Sequence, residues 1–141
     1  MHTLSLEPDP SETDIHSAIW KGLREFNEQH TGPAPARPLA VFVRDEAGVA
    51  LGGLEAQLRW SWLYIENFWL PEGLRGQGLG SQLLHSAEQF AVEQGCVGSY
   101  LDTFEFQALP FYERHGYTVF GVLEGFPPGF RRYYLQKRLV P

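Results

Sequence analysis

An apolar segment, a glycine-rich turn and an amphipathic stretch follow one another without a break from Trp62 to Ala91, and this succession constrains the chain more than anything else in it. The turn, Leu70-Pro71-Glu72-Gly73-Leu74-Arg75-Gly76-Gln77-Gly78-Leu79-Gly80-Ser81, has three glycines within residues 76–80. Glycine there allows φ > 0 and lets a ligand reach main-chain N–H groups with no Cβ in the way. Leu79, Leu83, Leu84, Ala87, Phe90 and Ala91 then recur at helical spacing. A helix N-terminus offers unpaired N–H donors and roughly half a positive charge, so the turn is a seat for a phosphate or pyrophosphate. No Lys-Ser or Lys-Thr follows the glycines, which excludes a nucleoside-triphosphate P-loop. Ser81 stands where a dinucleotide fingerprint begun at Gly76 needs its third glycine.

The rest of the chain reads as one α/β domain. At 141 residues it is long enough to bury a sizeable core, and 43% hydrophobic with 20% charged residues is ordinary for a globule. Ser11 reads as an N-cap, with Ile15, Ala18, Ile19, Leu23 and Phe26 making residues 11–30 an amphipathic helix. After a proline-rich connector, Leu39–Arg44 and Val49–Leu58 read as hairpin strands around Asp45-Glu46-Ala47-Gly48, with a bulge at Gly52-Gly53. Trp62–Leu70, apolar apart from Glu66 and Asn67, reads as a central strand buried on both faces. Beyond the glycine turn and its helix, Val97–Thr103 is a strand and Gln107–His115 a short helix. Tyr117–Leu123 and Arg131–Leu139 close the chain as a hairpin over a Pro/Gly-rich loop that holds Phe126 and Phe130. The order predicts a single domain over residues 1–141 with a mixed sheet flanked by helices.

Charge and cysteine usage narrow the partners. A formal net charge of −6 argues against nucleic acid or an anionic membrane as a partner. An anionic cofactor must then be held by local N–H groups and a few arginines, whereas a cationic acceptor suits the overall field. The lone Cys96 permits no internal disulfide, and the N-terminus shows no signal-peptide pattern, so a cytoplasmic location is expected. His85 and His115 are expected to be exposed, and no histidine or cysteine pair has metal-ligand spacing, so no metal is expected.

Arg75, Gly78 and Gly80 form Arg-x-x-Gly-x-Gly, and Gln107-Ala108-Leu109-Pro110-Phe111-Tyr112-Glu113-Arg114-His115-Gly116-Tyr117 follows one helix and one strand later. Both segments, in this order, resemble the GNAT superfamily of acyl-CoA-dependent N-acetyltransferases over about residues 39–139. Phe106-Gln107-Ala108, Val119-Phe120-Gly121 and Pro127-Pro128-Gly129 look like a subgroup of small bacterial members. One departure is Glu105, where many members carry an Asn. The resemblance implies a mostly antiparallel central sheet splayed at its middle strands, acetyl-CoA as co-substrate and direct acyl transfer to an amine. Arg75, Gly76, Gln77, Gly78, Leu79, Gly80 and Ser81 would then hold the pyrophosphate, with a main-chain N–H near Leu70 for the oxyanion. Tyr112 matches the residue that protonates the departing sulfur.

Glu66, a carboxylate in an apolar strand, is read either as general base or as a buried partner of Arg131 or Arg132. Asp102 and Glu124 are weaker base candidates, and Asn67 is placed on the opposite face from Glu66 by strand alternation. Trp60, Trp62, Tyr64, Phe68 and Trp69 are expected to be mainly core. Phe126 and Phe130 suggest a lid over the acceptor or a contact between two subunits of a homodimer. A small-molecule amine is the expected acceptor. The alternatives are a catalytically idle acyl-CoA-binding sensor and a protein lysine or N-terminal acetyltransferase.

Overall fold

A computed structural model describes residues 1–141, the side chain of Ser17 excepted. Residues 1–35 and residues 36–141 form two compact units. In the first, the Ser11 hydroxyl accepts from the Asp14 N–H at 3.3 Å and starts α1 (Glu12–Asp14). The chain then widens into a π-helical stretch, Ile15–Trp20, before α2 (Lys21–Thr31), which Gly32 stops at φ 73°. The uniform helix expected over residues 11–30 is thus interrupted, because i→i+5 bonding takes over within it.

The second unit is a six-stranded sheet in the order β1-β2-β3-β4-β6-β5. Its strands are β1 (Arg37–Arg44), β2 (Ala50–Arg59), β3 (Trp62–Trp69), β4 (Gly98–Phe104), β5 (Thr118–Glu124) and β6 (Arg131–Arg138). Only β3 and β4 pair in parallel, across the helix α3 (Leu79–Glu93), which Gly95 stops at φ 91°. The short α4 (Leu109–Arg114) precedes the last hairpin. Leu84, Ala87 and Ala91 of α3 pack on Leu54, Ala56, Leu58, Leu63, Ile65, Leu101 and Leu135 of the sheet. Each such leucine, once fully buried, contributes about 1.5–3 kcal/mol.

Two strand irregularities decide where functional groups stand. In β2 the extra residue is Leu51, since Val43 pairs with Gly52 and Arg44 with Ala50. The bulge expected at Gly52-Gly53 therefore lies one residue earlier. The glycines serve close approach instead: a Cβ on Gly53 would lie 2.2 Å from the Val41 carbonyl oxygen. In β3 the extra residue is Glu66, because Ile65 pairs with Ala56 and Asn67 with Glu55.

Parallel pairing of β3 with β4 stops at Ile65 and Leu101, so Glu66–Trp69 part from β4 while Asp102–Phe104 pair with β6. This is the splay that the family resemblance implies. It also corrects the reading of Trp62–Leu70 as buried on both faces. Leu63, Ile65 and Leu70 are buried, but Glu66, Asn67 and Trp69 are exposed, as is Trp60 in the β2–β3 turn. Of the aromatic group, only Phe68 packs against the core.

Candidate active site

The seat at the start of α3 is built by backbone conformation. Gly76 and Gly78 have φ of 75° and 81°, and a Cβ on either would meet open space. Gly80 differs, since its Cβ would lie 3.4 Å from the Phe111 ring. Its Cα thus faces a packed neighbour rather than open space. The first bond within α3 runs from the Gln82 N–H to the Gly78 carbonyl at 3.1 Å, leaving the N–H groups of Leu79, Gly80 and Ser81 without helical acceptors. Arg75 is exposed, its Nε donating to the Leu70 carbonyl at 2.9 Å, and Gln77 Nε2 donates to the Gly73 carbonyl at 2.9 Å. Both bonds brace the loop from outside.

Tyr112 lies on the α3 side of the sheet, 7% exposed, with its ring against Phe68, Phe111 and Tyr117. Burial first, and the Asp102 carboxylate second, push its phenol up to about 12. Among the described residues its hydroxyl has no hydrogen-bond partner, whereas the Tyr117 hydroxyl donates to Glu88 at 2.7 Å and lies 2.8 Å from Ser99 Oγ. Lys137 pairs with the same Glu88 at 2.7 Å, so Tyr117 belongs to a closed structural network.

Glu66 stands exposed at the bulge and lines a recess of about 340 Å³ with Pro38, Leu39, Ala40, Glu55 and Ala56. It pairs with neither Arg131 nor Arg132, correcting the ion-pair reading. Arg131 holds Glu124 at 3.0 Å, and Arg132 clamps Asp102 through Nε and Nη2 at 2.9 and 2.6 Å. Both weaker base candidates are thereby occupied. Asn67 is also not across the sheet from Glu66. The bulge breaks strict alternation, and Asn67 Nδ2 donates to Glu55 Oε2 at 3.0 Å beside the same recess. Glu55 escaped the sequence reading because only the shifted register brings it next to Glu66; the Gly52-Gly53 pair hinted at irregularity nearby.

Phe126 and Phe130 are 44% and 42% exposed. Phe126 stacks on Phe104 at 5.9 Å, and Phe130 meets Phe106 edge-on at 5.0 Å. The Arg132 guanidinium lies 4.6 Å from the Phe126 ring centre and 5.2 Å from that of Phe104. The loop aromatics therefore belong to a four-ring group at the β4 side of the splay. His115 is half-buried, not exposed as expected, with its Nε2 2.8 Å from Ser81 Oγ. Glu105, where many family members carry an Asn, is exposed, and its carboxylate accepts the Arg131 N–H at 2.8 Å.

The arrangement has counterparts among known proteins. The GNAT acetyltransferase family model matches residues 4–117. The chain is 42% identical over 140 residues to blasticidin-S acetyltransferase of Streptomyces morookaense, covering 96% of this chain and 99% of that one. A crystal structure from Agrobacterium tumefaciens, assigned as an acetyltransferase, superposes with a TM-score of 0.88 at 33% identity, covering 96% of this chain and 99% of the other. The fold is shared with an aminoglycoside 6'-N-acetyltransferase complexed with coenzyme A, at a TM-score of 0.65 and 18% identity over 92% of this chain and 89% of that one. The chain belongs to the GNAT family of acetyltransferases.

Proposed function

We propose that the protein transfers the acetyl group of acetyl-CoA to a primary amine of a small, cationic molecule by direct attack in a ternary complex. The observation that carries this reading is Tyr112, a buried phenol with an unclaimed hydroxyl beside the parted strands β3 and β4. The free N–H groups of Leu79, Gly80 and Ser81, with the Arg75–Gln77 loop and Gly78, hold the pyrophosphate. The thioester enters the gap beyond Ile65, where a main-chain N–H towards Leu70 takes the oxyanion.

The amine nitrogen attacks the carbonyl carbon, and its surplus proton goes to Glu66 directly or through water. The C–S bond then breaks, and the sulfur receives a hydrogen bond and finally a proton from Tyr112. A phenol near 12 stays protonated across the working range. Full transfer to a thiolate is uphill for so weak an acid, so Tyr112 first stabilises the developing thiolate as a donor. Once it has given its proton to the sulfur, the phenolate is restored by a proton from solvent, which balances the amine proton carried away through Glu66.

Acceptor recognition falls to the two sides of the splay. Glu55 and Glu66 offer negative charge, while Phe104, Phe126 and Phe130 offer flat apolar surface. That combination suits an amine joined to a planar ring. The relatives that acetylate blasticidin S and aminoglycosides favour a small antibiotic amine over a peptide. Release of coenzyme A, followed across nucleoside antibiotics, aminoglycosides, polyamines and lysine peptides, tests this. Turnover is expected with the cationic small molecules; turnover confined to peptides would overturn the reading.

A further inference from the structure

His115 takes no part in the proposed acyl transfer, yet both its ring nitrogens are engaged beside the cofactor seat. Nδ1 lies 2.7 Å from the Phe111 carbonyl oxygen and Nε2 2.8 Å from Ser81 Oγ. The ring also packs on Phe111, with centroids 4.4 Å apart. A carbonyl oxygen only accepts, so Nδ1 carries a proton. In the neutral ring Nε2 is then an acceptor, and Ser81 gives it the single hydroxyl proton it has. Ser81 Oγ meets an anion at the start of α3 with lone pairs only. Protonating the ring reverses this bond: Nε2–H donates to Ser81 Oγ, and the hydroxyl proton is released for a ligand oxygen. A positive charge arrives at the same time, one hydrogen bond behind the seat.

We propose that His115 is a positioning residue for the cofactor, setting through the Ser81 hydroxyl how many donors the pyrophosphate seat offers. The proposal rests on the assignment of Ser81 to that seat. The anionic cofactor is bound more tightly with the ring charged than with it neutral, so affinity falls as pH rises. Among the titratable groups around His115, Lys137 of β6 packs against Gly116 but is paired with Glu88 of α3, which also accepts from the Tyr117 hydroxyl. Glu113 and Arg114 on its own helix are exposed. His85, one turn along α3 from Ser81, is exposed, and Arg75 in the loop is turned back on the Leu70 carbonyl. Tyr112 on α4 stays neutral throughout this range.

The test is the Kd of 3′-dephospho-coenzyme A, measured calorimetrically between about pH 5.5 and 8.5, the range in which histidine titrates. This probe keeps the pyrophosphate but lacks the phosphate monoester that would titrate in the same window. Binding by the unaltered protein is expected to weaken about tenfold towards the alkaline end, the size of one hydrogen bond to a charged group. His115→Phe should bind with little pH dependence, and Ser81→Ala, which keeps the ring in place should His115→Phe fail to fold, should retain only the smaller slope that the ring's charge alone supplies. A pH-independent Kd in the unaltered protein, or an undiminished slope in Ser81→Ala, would overturn the proposal. Undiminished binding by Gly78→Asp is a separate failure, since it would show that the seat itself lies elsewhere.

Discussion

Tyr112 and Tyr117 are both buried, at 7% and 2% exposure, but only one of them has a spare proton. Tyr117 is committed to Glu88 and Ser99, and Tyr112 is not. Tyr112→Phe should therefore keep coenzyme A binding and lower kcat by about 10²-fold, the loss of one general acid. A kcat unchanged between pH 6 and 9 would sink that role. The same substitution has a stability signature. The phenol is raised from 10.0 to about 12 by folding, so its contribution is intact below pH 10 and is lost as pH climbs towards 12. The wild-type melting temperature should fall in that window and Tyr112→Phe should fall less, although Tyr117 is shifted in the same direction and leaves part of the slope. Glu66→Gln separates chemistry from structure in another way. Among the described residues Glu66 has no ion-pair partner to lose, so stability should move by less than about 0.5 kcal/mol. The acidic limb of the pH–rate profile should flatten. A clear drop in melting temperature with that limb intact would contradict the general-base role.

At the scale of elements, glycine and periodicity made most boundaries legible. The stops of α3 and α4 at Gly95 and Gly116, both with φ near 90°, follow from residues that alone tolerate that backbone. What could not be read was register. Glu66 looked like a charge inside a core strand because Trp62–Leu70 reads as buried on both faces, and the bulge at which it stands exposed depends on how β2 and β3 align. Trp69 reads as core for a related reason: a strand leaving its neighbour at Ile65 exposes what a continuous sheet would cover. Phe126 and Phe130 remained open between lid and interface, and their stacking on Phe104 and Phe106 makes them one wall of the splay. Phe126→Ser with Phe130→Ser should raise the acceptor KM and leave the acetyl-CoA Kd unchanged. A double variant that turns monomeric in sedimentation while binding acceptor normally would make the loop a subunit contact instead.

The whole molecule carries a formal charge of −6 and must hold a polyanion, so attraction has to be local and short-ranged. In the proposed complex the start of α3 supplies it with main-chain donors, which cost nothing to pre-orient once the helix has formed. If the cofactor binds only the native state, acetyl-CoA at a hundredfold excess over Kd should stabilise the fold by about 2.7 kcal/mol. Gly78 is the position at which to cancel that effect, but its φ of 81° complicates the comparison. Any L residue there is strained by roughly 1–2 kcal/mol before a ligand is added. The quantity to compare is therefore the rise in melting temperature caused by acetyl-CoA, not the melting temperature itself. Gly78→Ala carries the strain without charge and should keep part of the rise. Gly78→Asp carries the same strain with a carboxylate in the anion seat and should show none. Equal ligand-induced rises in all three proteins would mean that the phosphates bind away from this turn.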